Sequence, residues 1–247
     1  MKWTVPPIWE GDDVWILGGG PSVTKQFGIP DDIVNKVRTG ELPPSVYSPY
    51  MKPIHDCHVI GINVSYLIGD WIDMMFFGDA KFYLRYKQSL AKWPGLKVSC
   101  SPSTENVPWI KYLMRDPSRP QGISQRKNCV SWNQNSGASA ISLAAHLGAK
   151  RIILLGFDMN VDPTGKKHWH NLYKSATPPP ARGNIPPKRH KGRVIAKVPP
   201  FSKHLRGFPE IARNAKAMGI EILNASPDSA ITVFPKFSLK ELLYDNS

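Results

Sequence analysis

Between Pro163 and Pro209 the chain carries four histidines, His168, His170, His190 and His204, among eleven cations and without one Asp or Glu. The cations are Lys166, Lys167, Lys174, Arg182, Lys188, Arg189, Lys191, Arg193, Lys197, Lys203 and Arg206. An imidazole with an ordinary pKa of roughly 6.5 takes a hydroxyl proton at neutral pH, and ammonium groups beside it stabilise phosphate oxygens. His204 in FSKHLRG is therefore a candidate general base, with His170 its competitor. Lys166, Lys167 and His168 of the run GKKHWH are candidates for neutralising phosphate, and Arg182, Lys188, Arg189, Lys191 and Arg193 for holding a large anionic acceptor. His168 and His170 alternate as metal ligands on a strand can, but no carboxylate or cysteine nearby completes a set of familiar spacing. Asp158 and Asp162 stand too far apart for a DxD triplet. No metal is expected.

The charge is concentrated in that segment. The whole chain has 32 Lys and Arg against 19 Asp and Glu, a net charge of +13; without the eleven the balance is 21 to 19, close to neutral. A solvated basic face is the plain reading of a short charge run. Here the run is long, and the prolines of TPPPARGNIPPKRHKGRVIAKVPP exclude a regular packed element. A long basic loop of this kind inside a compact domain fits contact with a polyanion or a phosphorylated ligand.

A second set of candidates lies where apolar runs stop. VWILGGGPS passes from a strand pattern into Gly18, Gly19, Gly20, Pro21 and Ser22; VIGIN stops on Asn63; MMFFGD stops on Asp79; RIILLGFDMN stops on Asp158 and Asn160. Asn135, Ser136 and Gly137 open a helix of small residues. The strand ends of open α/β sheets collect helix N-termini and loops, which is where nucleotides bind. Taken singly, Asn63 and Asp79 could be helix caps and the glycines a tight turn; four polar ends on one edge are harder to dismiss. Gly18, Gly19, Gly20, Ser22, Asn63, Asp79, Asn135, Ser136, Gly137, Asp158, Asn160, Lys166, Lys167 and His168 together are the candidate nucleotide pocket.

The elements that must position these residues alternate. Strands are expected at residues 13–18, 58–62, 74–77, 97–100, 151–155 and 221–223, and helices at 80–90, 136–147 and 208–218, with a weaker short helix at 107–114. Residues 30–56 read as a proline-punctuated excursion. Strands separated by helical patterns imply an α/β fold: a Rossmann-like, mostly parallel sheet with helices on both faces. Residues 1–247 read as a single domain, with residues 163–207 inserted in it as a basic, proline-rich lid. At 41% hydrophobic content a chain this long can bury one sizeable core. No apolar run approaches the roughly 20 residues of a membrane span, and residues 1–10 lack a signal-peptide pattern, so a cytoplasmic protein with no membrane partner is expected. Cys57, Cys100 and Cys129 form no CxxC pair and read as reduced structural thiols.

The order GGGPS, GIN, FFGD, NSGASAISLAAHLGAKRIILLGFDM, basic lid and ASPDS resembles the bacterial sialyltransferases that extend lipooligosaccharides. It is more similar still to their phage-encoded relatives, grouped with a methylpterin pyrophosphokinase-like fold. The resemblance covers most of the chain in order, and only Asn135–Met159 is specific. It implies a GT-A-like variant of the Rossmann-like fold, a nucleotide-sugar donor held by the strand-end turns, and a histidine after the lid as base, which here is His204. Gly19 stands where the sialyltransferases have asparagine, and their phosphate-binding tyrosines are replaced by Asn160 and the Lys166, Lys167, His168 cluster. A more cationic pocket favours a UDP-sugar over a CMP-sugar. The reading is a metal-independent inverting glycosyltransferase acting on an anionic acceptor, foremost a hydroxymethylated base in phage DNA, in the host cytoplasm. A surface-glycan acceptor, pyrophosphoryl transfer to a pterin, and a non-catalytic nucleic-acid-binding protein are the alternatives.

Overall fold

The computed structural model describes residues 3–173, 189–190, 193–194 and 201–244. Seven strands form one parallel sheet: β1 (Asp13–Leu17), β2 (His58–Ile62), β3 (Met74–Phe77), β4 (Leu96–Ser99), β5 (Lys111–Tyr112), β8 (Arg151–Leu155) and β11 (Glu221–Asn224). Two short pairs lie outside it, parallel β6 (Met114–Arg115) with β7 (Cys129–Val130) and antiparallel β9 (Arg189–His190) with β10 (Arg193–Val194). The helices are α1 (Ser22–Gln26), α2 (Asp31–Thr39), α3 (Ala80–Lys92), α4 (Ser136–Leu147), α5 (Phe201–Leu205), α6 (Phe208–Ala217) and α7 (Leu239–Tyr244). The α/β, Rossmann-like expectation is met. No helix among the described residues is long and apolar enough to cross a membrane.

The strand order is β11-β8-β1-β2-β3-β4-β5. From β1 the chain steps outward through β2, β3, β4 and β5, then returns to lay β8 on the other side of β1, in register Asp13 to Arg151 through Leu17 to Leu155. The order therefore reverses between β1 and β8. Crossovers on the two sides of such a reversal leave a crevice beyond the carboxyl ends of the strands, the place where ligands of doubly wound sheets bind.

Strand side chains alternate between two apolar layers, as a period of two requires. Val14, Ile16, Ile60, Met74, Phe76, Ile152 and Leu154 face one core, filled by α4 and α6 through Ile141, Leu143, Phe208 and Ile211. Trp15, Leu17, Val59, Met75, Phe77, Ile153 and Leu155 face the other, with Val34 and Val37 of α2, Phe82 and Leu90 of α3, and Leu239 and Leu242 of α7. Burial on both faces explains why the strands read as continuous apolar runs. The small residues of α4 let that helix lie close on the sheet, with eleven of its twelve residues buried.

Three expectations are corrected. Residues 31–39 form α2 inside the supposed excursion, which continues as the 3-10 run Pro44–Ile54. Its signals were local ones: Asp31 and Asp32 in the first turn, Lys36 and Arg38 in the last, and Gly40 beyond them. Residues 107–114 are not a helix; Lys111 and Tyr112 pair with Val98 and Ser99 of β4, satisfying their backbone across the sheet edge. The helices α5 and α7 were not foreseen.

Candidate functional site

A cleft of about 730 Å3 opens at the carboxyl edge of the sheet and reaches the reversal between β1 and β8. Gly18, Gly19 and Gly20 after β1, Asn63 after β2, Asp79 after β3, and Gly156, Phe157 and Asp158 after β8 line it. So do Asn135, Ser136 and Gly137 at the start of α4, together with Lys167, His168 and His204. The structure thus brings together most of the strand-end candidates. Ser22, Asn160, Lys166 and His170 do not line the cleft.

The glycine turn has a more structural reason than the sequence reading supposed. Gly18 N–H donates to the Leu155 carbonyl at 2.7 Å and Gly20 N–H to the Gly156 carbonyl at 2.9 Å, so two of the turn's donors are consumed where the loops after β1 and β8 cross. A Cβ on Gly20 would lie 1.6 Å from Asp158 Oδ2, and one on Gly18 would lie 2.7 Å from the Gly156 oxygen. Asp158 accepts from Ser22 N–H at 3.1 Å and from Ser22 Oγ at 2.8 Å. The carboxylate of Asp158 therefore occupies the N-terminus of α1 that was expected to meet a phosphate. Burial pushes the Asp158 carboxyl upward and the Ser22 bonds pull it back. The ASPDS strand end buttresses this knot from behind: Ser226 Oγ accepts Phe157 N–H at 3.1 Å and Ser229 Oγ donates to the Phe157 carbonyl at 2.6 Å.

The α4 terminus is closed in the same way. Asn135 is its cap; Asn135 Oδ1 accepts from Gly137 N–H at 2.9 Å and Ala138 N–H at 3.3 Å. By contrast Asp79 precedes α3 without making a side-chain cap, and its carboxylate stays exposed to the cleft. The leading amides of α1 and α4 are taken up internally, and side-chain cations line the cleft. Among the described residues four line it: Lys81 and Arg85, one turn apart on α3, with Lys167 and Lys203. None of the four is in an ion pair among the described residues. Lys81 and Arg85 were missed by sequence reasoning, although their spacing of four behind a polar strand end was a readable signal.

The GKKHWH run is pinned to the sheet rather than laid over it. Trp169 is 1% exposed; its N–H donates to the Gly19 carbonyl at 3.0 Å, its indole N–H to the Gly18 carbonyl at 3.2 Å, and its ring meets Tyr47 edge-on. It belongs to the core. Arg38 donates to the His168 carbonyl and Arg85 to the Leu172 carbonyl, fastening the segment from α2 and α3. His168 and His170 stack with ring centres 5.2 Å apart, and Tyr173 stands edge-on to both. Burial lowers the His168 pKa to about 4, with the Arg38 and Lys167 charges adding to the effect, so His168 is neutral at pH 7 and cannot act as an imidazolium. His170 is 2% exposed behind it and driven well below its ordinary value by burial and by His168. Lys166 sits in a turn whose backbone N–H bonds Asp162 Oδ1 at 2.7 Å, and Asn160 reaches the Asp228 carbonyl at 2.6 Å on the rim.

His204 on α5 lines the cleft beside Lys203. Burial and the Lys203 charge lower its pKa, and the Asp79 carboxylate opposes them, leaving a neutral imidazole at pH 7. Arg182, Lys188 and Lys191 lie outside the described residues, as do the side chains of Arg189 and Arg193, which stand on β9 and β10. Among the described residues no group of three or more His, Cys, Asp or Glu is placed to hold a metal ion.

Backbone geometry marks the same place. Among the described residues, four other than glycine have positive φ: Asn63 (53°), Asn133 (49°), Gln134 (53°) and Met159 (51°). Three of them, Asn63, Gln134 and Met159, line the cleft. Left-handed backbone at side-chain-bearing residues costs energy and clusters where a ligand or a reaction requires it.

Fold and site together define a doubly wound α/β protein with a cationic cleft at its topological switch point. No family model matches the chain, and no curated protein or solved structure is significantly similar to it.

Proposed function

We propose that the cleft binds a nucleotide-activated sugar and that the protein is an inverting, metal-independent glycosyltransferase acting on a hydroxyl of an anionic acceptor. One observation carries this reading: Lys81, Arg85, Lys167 and Lys203 line the switch-point crevice, and so does a neutral histidine, His204. His204 takes the acceptor proton as the hydroxyl oxygen bonds to the anomeric carbon. The bond from that carbon to the leaving phosphate oxygen breaks on the opposite face, and its electron pair departs with the nucleotide. The four cations stabilise the charge that develops on the diphosphate. His170, buried away from the cleft, has no place in this step.

The acceptor follows from charge. The basic segment 163–207 suits a polyanion, and a hydroxymethylated base in DNA supplies both the phosphates and the hydroxyl. The test is incubation with hydroxymethylated DNA and a panel of nucleotide sugars, reading nucleotide release and the mass of the DNA. His204→Ala should lower kcat about 10²–10⁴-fold with little effect on donor affinity. Nucleotide release without mass gain on DNA rejects that acceptor and favours a glycan. Wild-type turnover by His204→Ala rejects the assigned base, and an absence of any turnover with every donor, beside normal DNA binding, selects the non-catalytic reading.

A further inference from the structure

Two buried hydrogen-bond acceptors in the cleft have nothing to accept. Asn63 Oδ1 and Gln134 Oε1 are buried and without a partner, although each belongs to a residue held at φ 53° on the cleft wall. A buried polar atom left unsatisfied is destabilising, and a strained backbone beneath it adds to that. Two such atoms at one site imply a ligand that brings donors to them.

The same cleft holds an aromatic platform. Trp132, two residues before Gln134, lines the cleft and is half-buried. The Arg115 guanidinium lies 3.8 Å from its ring centre, and that guanidinium is itself fixed by bonds to the Cys100 carbonyl at 3.1 Å and the Gly78 carbonyl at 2.6 Å. Gly78 has no side chain because the ring occupies its place; a Cβ there would be 2.1 Å from Trp132 Cζ3. The Trp132 carbonyl is held by Asn135 N–H at 3.2 Å and by Ser139 Oγ. The indole is thus clamped before any ligand arrives, and rigid aromatic surface is what a heterocycle stacks on at least entropic cost.

We propose that Trp132, Gln134 and Asn63 form the nucleobase subsite of this cleft: a base stacks on Trp132 and gives N–H donors to Gln134 Oε1 and Asn63 Oδ1. This rests on the cleft being a nucleotide site and adds which base it selects. Guanine presents two N–H donors on its pairing edge, N1–H and one from its amine, and adenine and cytosine each carry the two N–H donors of an exocyclic amine, one of them on that edge, whereas uracil presents a single N–H between two carbonyls. The cationic wall keeps the diphosphate expected from the sequence, and the two free acceptors replace uracil by an amino-bearing base.

The experiment is calorimetric titration of the full chain with GDP, ADP, CDP, UDP and inorganic pyrophosphate. At least one amino-bearing diphosphate should bind about tenfold or more tighter than UDP. Trp132→Ala should weaken nucleotide binding roughly 5- to 150-fold, the range measured for base stacking on an aromatic, and leave pyrophosphate binding unchanged. Gln134→Met, which keeps the side-chain length and removes the acceptor, should erase about tenfold of the preference over UDP; it decides the matter if Trp132→Ala fails to fold. Nucleotides that bind without base preference, or a preference untouched by Gln134→Met, overturn this inference and leave the nucleotide reading standing. Nucleotides that bind no better than pyrophosphate overturn both.

Discussion

Gly19 and Gly20 are adjacent in one turn, and replacing each by alanine should have opposite consequences. A Cβ at Gly20 would lie 1.6 Å from Asp158 Oδ2 and 2.7 Å from the Gly156 oxygen. The carboxylate must swing away and lose both bonds from Ser22, at 3.1 and 2.8 Å. Hydrogen bonds to a charged group contribute about 1.5–3 kcal/mol each, so Gly20→Ala should cost about 3–6 kcal/mol. A domain of this size loses about 2–4 °C of Tm per kcal/mol, which places the drop at roughly 6–24 °C. At Gly19 the nearest atoms to a Cβ are His168 Nδ1 at 3.2 Å and His170 Nε2 at 3.7 Å, and the backbone is not left-handed. There the stacked rings need give only slightly, while the unfolded chain loses freedom, so Gly19→Ala should stay within about 1 kcal/mol of the parent. Urea unfolding followed by tryptophan fluorescence measures both. A Gly20→Ala variant within 1 kcal/mol of the parent, or a Gly19→Ala variant as damaged as Gly20→Ala, would refute the claim that the loops after β1 and β8 cross in contact.

Stability should also fall with acid in a defined window. The His168 pKa is lowered by burial from 6.5 to about 4, so below pH 6.5 the unfolded chain binds a proton that the folded chain refuses. The contribution is whole above 6.5, declines as pH falls, and is lost by pH 4, a difference of about 3 kcal/mol; unfolding midpoints between pH 7 and 4.5 should show a smaller decline in His168→Gln, and parallel curves would count against the buried, neutral ring. Lys81 is exposed on α3 and in no ion pair among the described residues, so Lys81→Ala should leave the Tm within about 2 °C of the parent. The same substitution should weaken pyrophosphate binding about tenfold, and an unchanged dissociation constant at low salt would remove α3 from the anion-binding wall.

The frame was legible because its signals are local. A strand buried on both faces is an unbroken apolar run, and β1, β2, β3 and β8 are bounded by glycine or by a polar residue that breaks the run, so their ends were readable from Gly18, Asn63, Asp79 and Gly156. The α4 boundaries followed from Asn135 in front and Gly148 behind. The misread stretches had weak or conflicting local signals: α2 was masked by the prolines around it, and residues 107–114 answer to β4 rather than to their own period.

The sequence by itself determined which residues stand at strand ends and that one segment is strongly basic, since periodicity and composition need no partner. Only the tertiary structure decided what those residues face. Asp158, a candidate for the nucleotide pocket, meets Ser22 across 136 positions and becomes the tie between two loops. Trp169 and His170 fold under the glycine turn, burial neutralises His168, and Lys81, Arg85, Trp132 and Gln134 arrive at the cleft from elements whose local pattern names no ligand. The reason is physical: a residue's type sets what it can donate, accept or carry, while its burial and its neighbours, fixed by the reversal of strand order between β1 and β8, set which of these it does.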